Sequence, residues 1–383
     1  MKVCALTDSL DPSNGPGRCA AELIRVLKGK LASLDVVIPA AHGPVADDVA
    51  NGCNLHRLLP SRHFFYLRRA LFYPAVLGNA LRIVPMVRRV DVVHALKDYP
   101  FSLVAAVAAA LCRKPLIVTA HGTFSVLPLR SWPDRPLARF VFRRAAKILS
   151  VSRYTRDRLA EFIGDEKILV IHNGVDARSF QARSARAPAG DSNAPFVLGV
   201  GQIKQRKGFD LSVRAFCRIA PDFPGLVYLL AGEDGDTRDV GALRALIESE
   251  PEGARVRLLG KVDESELAWL YRNCELFVLT PRADSAGRFE GFGLVYLEAG
   301  AFGKAVIGSR DSGAEDAIVD GETGLLVRAD VEDVARALRS LLEDRGLADR
   351  LGRRGKLRAE SLSWERVGEA VLGVYSTVTG GSS

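Results

Sequence analysis

Short, wholly apolar runs recur along this chain between helix-like segments, stop at residues 178–195, and then begin again. In the first half they are Val3–Thr7, Val92–Ala95, Leu116–Thr119, Ile148–Val151 and Ile168–Ile171. A helix is expected from near Arg18, with others over Ser102–Leu111 and Tyr154–Phe162. Strands with no polar alternation are buried on both faces, which calls for a parallel sheet covered by helices on either side. The pattern restarts with Phe196–Val200, Leu226–Ala231, Val256–Leu259, Leu276–Thr280 and Ala305–Gly308. Helices are expected near Phe209–Ile219, Val240–Glu248, Glu264–Arg272 and Leu294–Phe302, then over Val331–Glu343 and from Trp364 to about Val378. The reading is α/β, with two Rossmann-like domains facing across a cleft, because doubly wound sheets take ligands at the carboxyl ends of their strands. The domains are placed at 1–178 and 196–363. Residues 179–195, aperiodic and rich in Ala, Ser, Pro and Arg, form the linker, and a C-terminal helix in 364–383 crosses back to the first domain.

Charge separates the halves. Residues 1–190 carry 28 Lys and Arg against 14 Asp and Glu, leaving +14, while the remainder carries 25 against 31, leaving −6. One half is therefore suited to an anionic partner. No acidic residue occurs from Val49 to Val90, where Arg57, Arg62, Arg68, Arg69, Arg82, Arg88 and Arg89 alternate with Phe64, Phe65, Tyr66, Leu67, Leu71, Phe72 and Tyr73. That mixture suits an anionic bilayer surface, and equally a helix with Arg on the wet side and aromatics in the core. No nucleic-acid motif accompanies it. The longest apolar stretch, Phe101–Cys112, is too short to span a membrane, and Asp8 interrupts the apolar N-terminus where a signal peptide would lie. Six scattered cysteines without a CxxC pair read as buried free thiols of a reducing cytosol.

The chemistry is concentrated in Arg288-Phe-Glu-Gly-Phe-Gly-Leu-Val-Tyr-Leu-Glu298-Ala. Glu290 sits in a glycine-containing loop and Glu298 inside the helix that follows, so the pair suits two ends of an elongated ligand better than a close acid/base dyad. The amides of Gly291, Phe292, Gly293 and Leu294 open a helix N-terminus, a natural place for phosphate. Taken alone, the spacing also fits two unrelated carboxylates. Written as EGFGLVYLEA, however, the stretch resembles the signature of glycosyltransferase family 4, retaining, nucleotide-sugar-dependent enzymes of the GT-B fold. The resemblance implies that Glu290 lies at the donor sugar and Glu298 binds the ribose hydroxyls.

Gly201-Gln-Ile-Lys-Gln-Arg206-Lys207-Gly208, after the strand that opens the second domain, resembles the family's G-x-x-x-x-R-K-G. There the Arg and Lys clamp the donor diphosphate, and fixed cations stabilise the charge that a leaving diphosphate develops without a metal. A solvated basic turn is the plainer alternative. His121, in Val118-Thr-Ala-His-Gly-Thr-Phe124, stands at a strand end where the family places a residue that contacts the donor sugar. His94 has a weaker claim to the same cleft, and His172 before Asn173-Gly-Val-Asp176 is read as structural. The first loop, Asp11-Pro-Ser-Asn-Gly15-Pro-Gly17-Arg18, offers Gly15 and Gly17 for close approach to a phosphate or sugar. It departs from the adjacent glycines usual in the family and is no GxGxxG fingerprint.

Gly232-Glu-Asp-Gly235 matches the family's glycine turn, and Leu259-Gly-Lys-Val262 the segment whose backbone meets the nucleobase. Ser312–Glu315 and Asp320–Val327 match its late turns. Asp234-Gly-Asp236 imitates a metal-binding DxD but lies in the glycine-turn slot, so no metal and no other cofactor is expected. The resemblance implies catalytic roles for Glu290, His121, Arg206 and Lys207. It implies donor contacts from Gly15, Gly17, Gly201, Arg206, Lys207, Gly232, Val262, Glu290, Gly291, Phe292, Gly293, Leu294 and Glu298. The expected partners are a nucleotide-sugar donor, a glycan or lipid-linked acceptor and an anionic membrane surface, with no nucleic acid. The expected setting is the cytoplasm, on the inner face of the membrane, in surface polysaccharide or lipopolysaccharide synthesis. An epimerase or phosphorylase on the same fold, or a silent nucleotide-binding relative, would share these motifs.

Overall fold

The computed structural model describes residues 1–12, 14–60, 69–188 and 194–380, and the chain forms two compact units. The first comprises Met1–Gly174 together with the segment from Trp364 onward, and the second Val175–Ser363.

In the first unit seven strands form one all-parallel sheet. They are β1 (Lys2–Leu6), β2 (Ser33–Pro39), β3 (Asn54–Leu59), β4 (Val92–Ala95), β5 (Leu116–Ala120), β6 (Lys147–Ser150) and β7 (Ile168–Val170). Their order is β3-β2-β1-β4-β5-β6-β7, so the chain reverses its direction of travel between β1 and β4. β1 and β4 are almost wholly buried, which is why both are apolar without alternation. The helix Gly15–Lys28 starts where Asn14 Oδ1 accepts the Gly17 amide at 2.8 Å, with a proline in its first turn. The C-terminal helix Trp364–Thr379 packs on Gly15–Lys28, and its Tyr375 hydroxyl meets His94 Nδ1 at 2.7 Å.

The second unit repeats the plan with six parallel strands. These are β8 (Phe196–Val200), β9 (Val227–Ala231), β10 (Val256–Gly260), β11 (Leu276–Val278), β12 (Val306–Ser309) and β13 (Leu325–Val327), in the order β10-β9-β8-β11-β12-β13. Here the reversal lies between β8 and β11. Helix Phe209–Ile219 buries Val213, Ala215, Phe216 and Ile219 at helical spacing, and Glu264–Asn273 carries a reciprocal capping box between Asp263 and Glu266.

Two expectations need correction. The first unit ends at Gly174 rather than at 178, and the stretch taken as linker opens with a helix, Ala177–Ala182. Phe180 of that helix packs edge-on against Tyr271 and Phe302, so the segment belongs to the second unit's core. Of the remaining linker, 189–193 lie outside the described residues. β2, β3 and β13 were not expected. Of the basic-aromatic stretch, Arg62, Phe64, Phe65, Tyr66, Leu67 and Arg68 also lie outside them.

Candidate active site

In an open parallel sheet the place where strand order reverses leaves a crevice between two loops that diverge to opposite faces. In the second unit those loops are the ones after β8 and β11. The first carries Gly201, Arg206, Lys207 and Gly208, and the second runs from Thr280 to Gly293 and carries Glu290. The backbone ties them together. Arg282 donates its amide to the Arg206 carbonyl at 3.0 Å, and Thr280 Oγ1 donates to the Gly208 carbonyl at 2.9 Å. Gly208 has φ +69°, and a Cβ there would stand 1.8 Å from the Thr280 carbonyl oxygen, so only glycine permits this approach. Gly313 closes the other side by donating its amide to the Glu290 carbonyl at 3.0 Å.

At the centre two cations converge on one carboxylate oxygen. Glu290 Oε2 lies 2.6 Å from Lys207 Nζ and 3.0 Å from Arg206 Nη1. Burial alone would raise the Glu290 carboxyl, but the Lys207 and Arg206 charges outweigh it and hold the group down at about 2. Burial pulls the Lys207 ammonium below its usual range, with the Glu290 carboxylate opposing that pull. Glu290 is thus an ionised, doubly paired carboxylate. The two cations would present themselves to a phosphate at the same crevice.

Glu298, on the helix Leu294–Ala301, is buried, and its Oε2 accepts the Tyr271 hydroxyl at 2.9 Å. Tyr296, two residues earlier, donates its hydroxyl to the Leu279 carbonyl at 2.8 Å and fixes that helix to the end of β11. Gly293 precedes the helix with φ +86°. Gly232 donates its amide to the Gly260 carbonyl at 2.8 Å, and Gly201 to the Ala231 carbonyl at 2.9 Å. These bonds gather Gly201, Gly232 and Gly260 along the carboxyl ends of β8, β9 and β10, with half-buried Val262 two residues beyond. Asp236 of the DxD-like string caps the helix Thr237–Ser249 through the Arg238 amide. Among the described residues no three His, Cys, Asp or Glu side chains gather to hold a metal ion.

The first unit brings a different set together. His121 follows β5; its Nε2 lies 2.8 Å from the Leu96 carbonyl, so that nitrogen carries the proton and Nδ1 the lone pair. Burial lowers its pKa, outweighing the Asp98 charge, and the ring is neutral. The His121 amide donates to Asp98 Oδ1 at 3.2 Å, and Ser125 Oγ donates to the same oxygen, so Asp98 shapes the turn that carries the histidine. Beside it, at the reversal between β1 and β4, Lys97 Nζ lies 3.5 Å from Asp8 Oδ1. The sequence reading missed Asp8, Lys97 and Asp98. Their signal was a Lys-Asp pair directly after the apolar strand β4, where a covered sheet has no other reason for charge.

Two further expectations change. His94 is fully buried, its Nε2 2.8 Å from Thr119 Oγ1 and its Nδ1 on Tyr375, so it braces the unit rather than lining a cleft. The Gly17 amide is occupied by the Asn14 cap, and a Cβ at Gly17 would stand 2.5 Å from the Asp11 carbonyl oxygen, so its glycine answers a local need. Gly15 has open space around it.

Comparison with known proteins bears on the family and the fold. Residues 13–179 match the family model "Glycosyltransferase Family 4", and 181–358 match "Glycosyl transferases group 1". The chain belongs to the family 4 glycosyltransferases. It is 27% identical over 362 residues to the glycogen synthase of Mycobacterium tuberculosis, spanning 88% of this chain and 83% of that protein. It is 27% identical over 379 residues to the phosphatidyl-myo-inositol mannosyltransferase of the same organism, spanning 97% and 95%. Among solved structures, Anabaena Alr3699/HepE in complex with UDP and glucose superposes with a TM-score of 0.78 at 20% identity, over 98% of this chain and 100% of that one. The two doubly wound units of this glycosyltransferase are those of the GT-B fold.

Proposed function

We propose that this glycosyltransferase moves a sugar, with retention of anomeric configuration, from a nucleotide-sugar donor to a glycan or lipid-linked acceptor of a surface polysaccharide or lipopolysaccharide. It does so against an anionic membrane surface, without a metal. The observation that carries the reading is the convergence of Arg206 and Lys207 on Glu290 at the reversal point of the second sheet. In the absence of donor the carboxylate pairs with both cations and leaves one positive charge unbalanced. A diphosphate entering the crevice would take over part of that pairing, and the cations would then stabilise it as the glycosidic bond breaks. A double displacement needs a free carboxylate nucleophile at the anomeric carbon. Two cations on one Glu290 oxygen weaken it for that task, which favours front-face substitution with the leaving phosphate accepting the acceptor proton. Neutral His121, with Nδ1 as acceptor, is suited to a sugar hydroxyl. Glu298, set by Tyr271, is suited to the ribose.

The relatives support the donor class: the Anabaena protein was solved with UDP and glucose, and one mycobacterial relative is named for its use of GDP-mannose. The test is a series of thermal melts with UDP, GDP, ADP and their sugar conjugates in metal-free buffer. A rise with one base family is expected, because a ligand that binds only the folded state raises the melting temperature. No rise with any of them would overturn the donor site. Conversion of the bound nucleotide sugar without an acceptor would replace transfer with epimerisation, and a requirement for inorganic phosphate would replace it with phosphorolysis.

A further inference from the structure

The helix Arg69–Val87 is apolar on its solvent side as well as on its buried side. A surface helix normally hides its apolar residues and shows its polar ones. Here the buried side includes Asn79, whose Nδ2 donates to the Ala75 carbonyl at 2.7 Å, alongside Val76, Ala80, Ile83 and Val87. The solvent side carries Leu71 (48% exposed), Tyr73 (56%), Leu77 (51%) and Leu81 (53%). Tyr73, Leu77 and Leu81 follow one another at four-residue spacing and so share a face. Isolated exposed leucines are ordinary; an aligned row of large apolar side chains is not.

The surrounding charge has one sign. Arg82 flanks the row, and exposed Arg88 and Arg89 follow the helix end. Among the described residues no carboxylate pairs with any of the three, and no acidic residue occurs from Val49 to Val90. The helix is seated on the first unit through Phe72, which stacks on Tyr99 with centroids 6.0 Å apart. Tyr99 in turn donates its hydroxyl to Asp134 Oδ1 at 3.1 Å. Tyr99 follows Asp98, the carboxylate that holds the His121 turn, and Asp134 lies two residues beyond Trp132, which is 81% exposed. The apolar row is therefore firmly joined to the part of the unit that carries His121. No helix among the described residues is long and apolar enough to cross a membrane.

We propose that the face formed by Leu71, Tyr73, Leu77 and Leu81, with Arg82, Arg88 and Arg89 around it, lies in the headgroup region of an anionic lipid surface. The apolar row enters the acyl boundary and the guanidinium groups meet lipid phosphates. This locates the membrane contact that the functional reading above invokes, and it rests on that reading. A second copy of the chain would also cover apolar side chains, but two such faces would bring six arginines together with no carboxylate among them.

The test is co-sedimentation of the full-length protein with vesicles of phosphatidylcholine, alone and mixed with phosphatidylglycerol. Binding is expected to the mixed vesicles and to weaken with added salt. The variant Y73S/L77S/L81S should bind about tenfold more weakly or worse, and R82E/R88E/R89E should lose the preference for the anionic lipid. L357S, which removes an exposed leucine of the second unit (65% exposed), should bind as the wild type does. Nucleotide melting shifts equal to wild type establish that each variant is folded. If the wild type pellets with mixed vesicles and the serine variant pellets equally, the face proposal is overturned while the membrane reading stands. If the wild type binds neither vesicle, both fall. If the wild type instead shows a concentration-dependent dimer in sedimentation velocity that the serine variant lacks, the occupant is a second copy and the proposal is overturned.

Discussion

Lys207 Nζ stands 2.6 Å from Glu290 Oε2, and Arg206 approaches the same oxygen at 3.0 Å from the neighbouring position in sequence. One carboxylate oxygen thus holds two adjacent cations in a fixed direction across the crevice between β8 and β11. A lysine and an arginine on a free turn would each sample many rotamers; here their orientation is set before any ligand arrives.

The clamp can be tested directly. Arg206→Ala and Lys207→Ala should each weaken nucleoside diphosphate binding by about 1–3 kcal/mol, the range of charge-assisted hydrogen bonds. The two losses should not add, because removing either cation leaves Glu290 free to pair more closely with the other. Isothermal titration with whichever of UDP, GDP or ADP raises the melting temperature is the measurement. Equal affinity in both single variants and the wild type would remove the diphosphate role.

Glu290 also predicts an acid limb of stability. Its folded pKa, about 2, lies below its ordinary value of 4.5, so its contribution is fully present above 4.5 and is lost as pH falls towards 2. Glu290→Gln should abolish that part of the pH dependence. At neutral pH the variant leaves the half-buried Lys207 and Arg206 without their anion, which should cost about 1–3 kcal/mol. Urea melts at neutral and acid pH would show the gap between variant and wild type narrowing on acidification. A gap that stays constant would mean that the ionisation of Glu290 does not set the difference.

Two glycines with the same backbone angle separate strain from crowding. Gly208 has φ +69° and Gly303 φ +72°, but a Cβ at Gly208 would meet the Thr280 carbonyl oxygen at 1.8 Å, while one at Gly303 meets nothing within 4 Å. Gly303→Ala should therefore cost only the left-handed conformation, about 1–2 kcal/mol. Gly208→Ala must also push the loop after β11 off the Arg206–Lys207 turn, and should cost about 3 kcal/mol or more. Nucleotide binding should fall with it and stay intact in Gly303→Ala. Chemical denaturation and nucleotide melting shifts on the two variants check this.

The parts of the fold that were legible in the chain are those whose residues answer to a single demand. β1, β4, β8 and β11 are buried on both faces and so read as apolar runs. β2 and β3 answer to two. Asp35 interrupts β2 because its Oδ1 lies 2.9 Å from His56 Nε2 and takes a bond from Asn54, both on the edge strand β3, so the polar residues satisfy one another across the pair. Such matching is invisible when either strand is read alone. β13 is a three-residue edge strand with no pattern to read. The same distinction holds at the site. Arg206, Lys207 and Glu290 sit in loops, where charge stands out beside apolar strands, and the sequence reading singled out all three; the structure brings them together. Lys97 and Asp98 show locally as a charged pair after β4, but only the strand order brings Asp8 to Lys97.

His94 supplies the remaining prediction, because it ties the C-terminal helix to the first sheet through Tyr375. It is fully buried between Tyr375 of that helix, at 2.7 Å, and Thr119 of β5, at 2.8 Å. Burial, aided by the nearby His121, lowers its pKa from 6.5 to about 3. A histidine held neutral in the fold lets the unfolded chain take up a proton first. Stability should be full above pH 6.5 and decline as pH falls from there towards 3. This limb begins about two pH units above that of Glu290, so the two are separable. His94→Gln, which can bond Tyr375 or Thr119 but cannot titrate, should flatten the decline between pH 6 and 5 while lowering stability at pH 7 by about 1–2 kcal/mol. Tyr375→Phe should weaken the helix's attachment by a similar amount and leave the decline in place, since the histidine stays buried. Hydrogen exchange along Trp364–Thr379 at pH 7 and pH 5 would report both. Equal protection at the two pH values in the wild type would mean that His94 does not control the docking of the terminal helix.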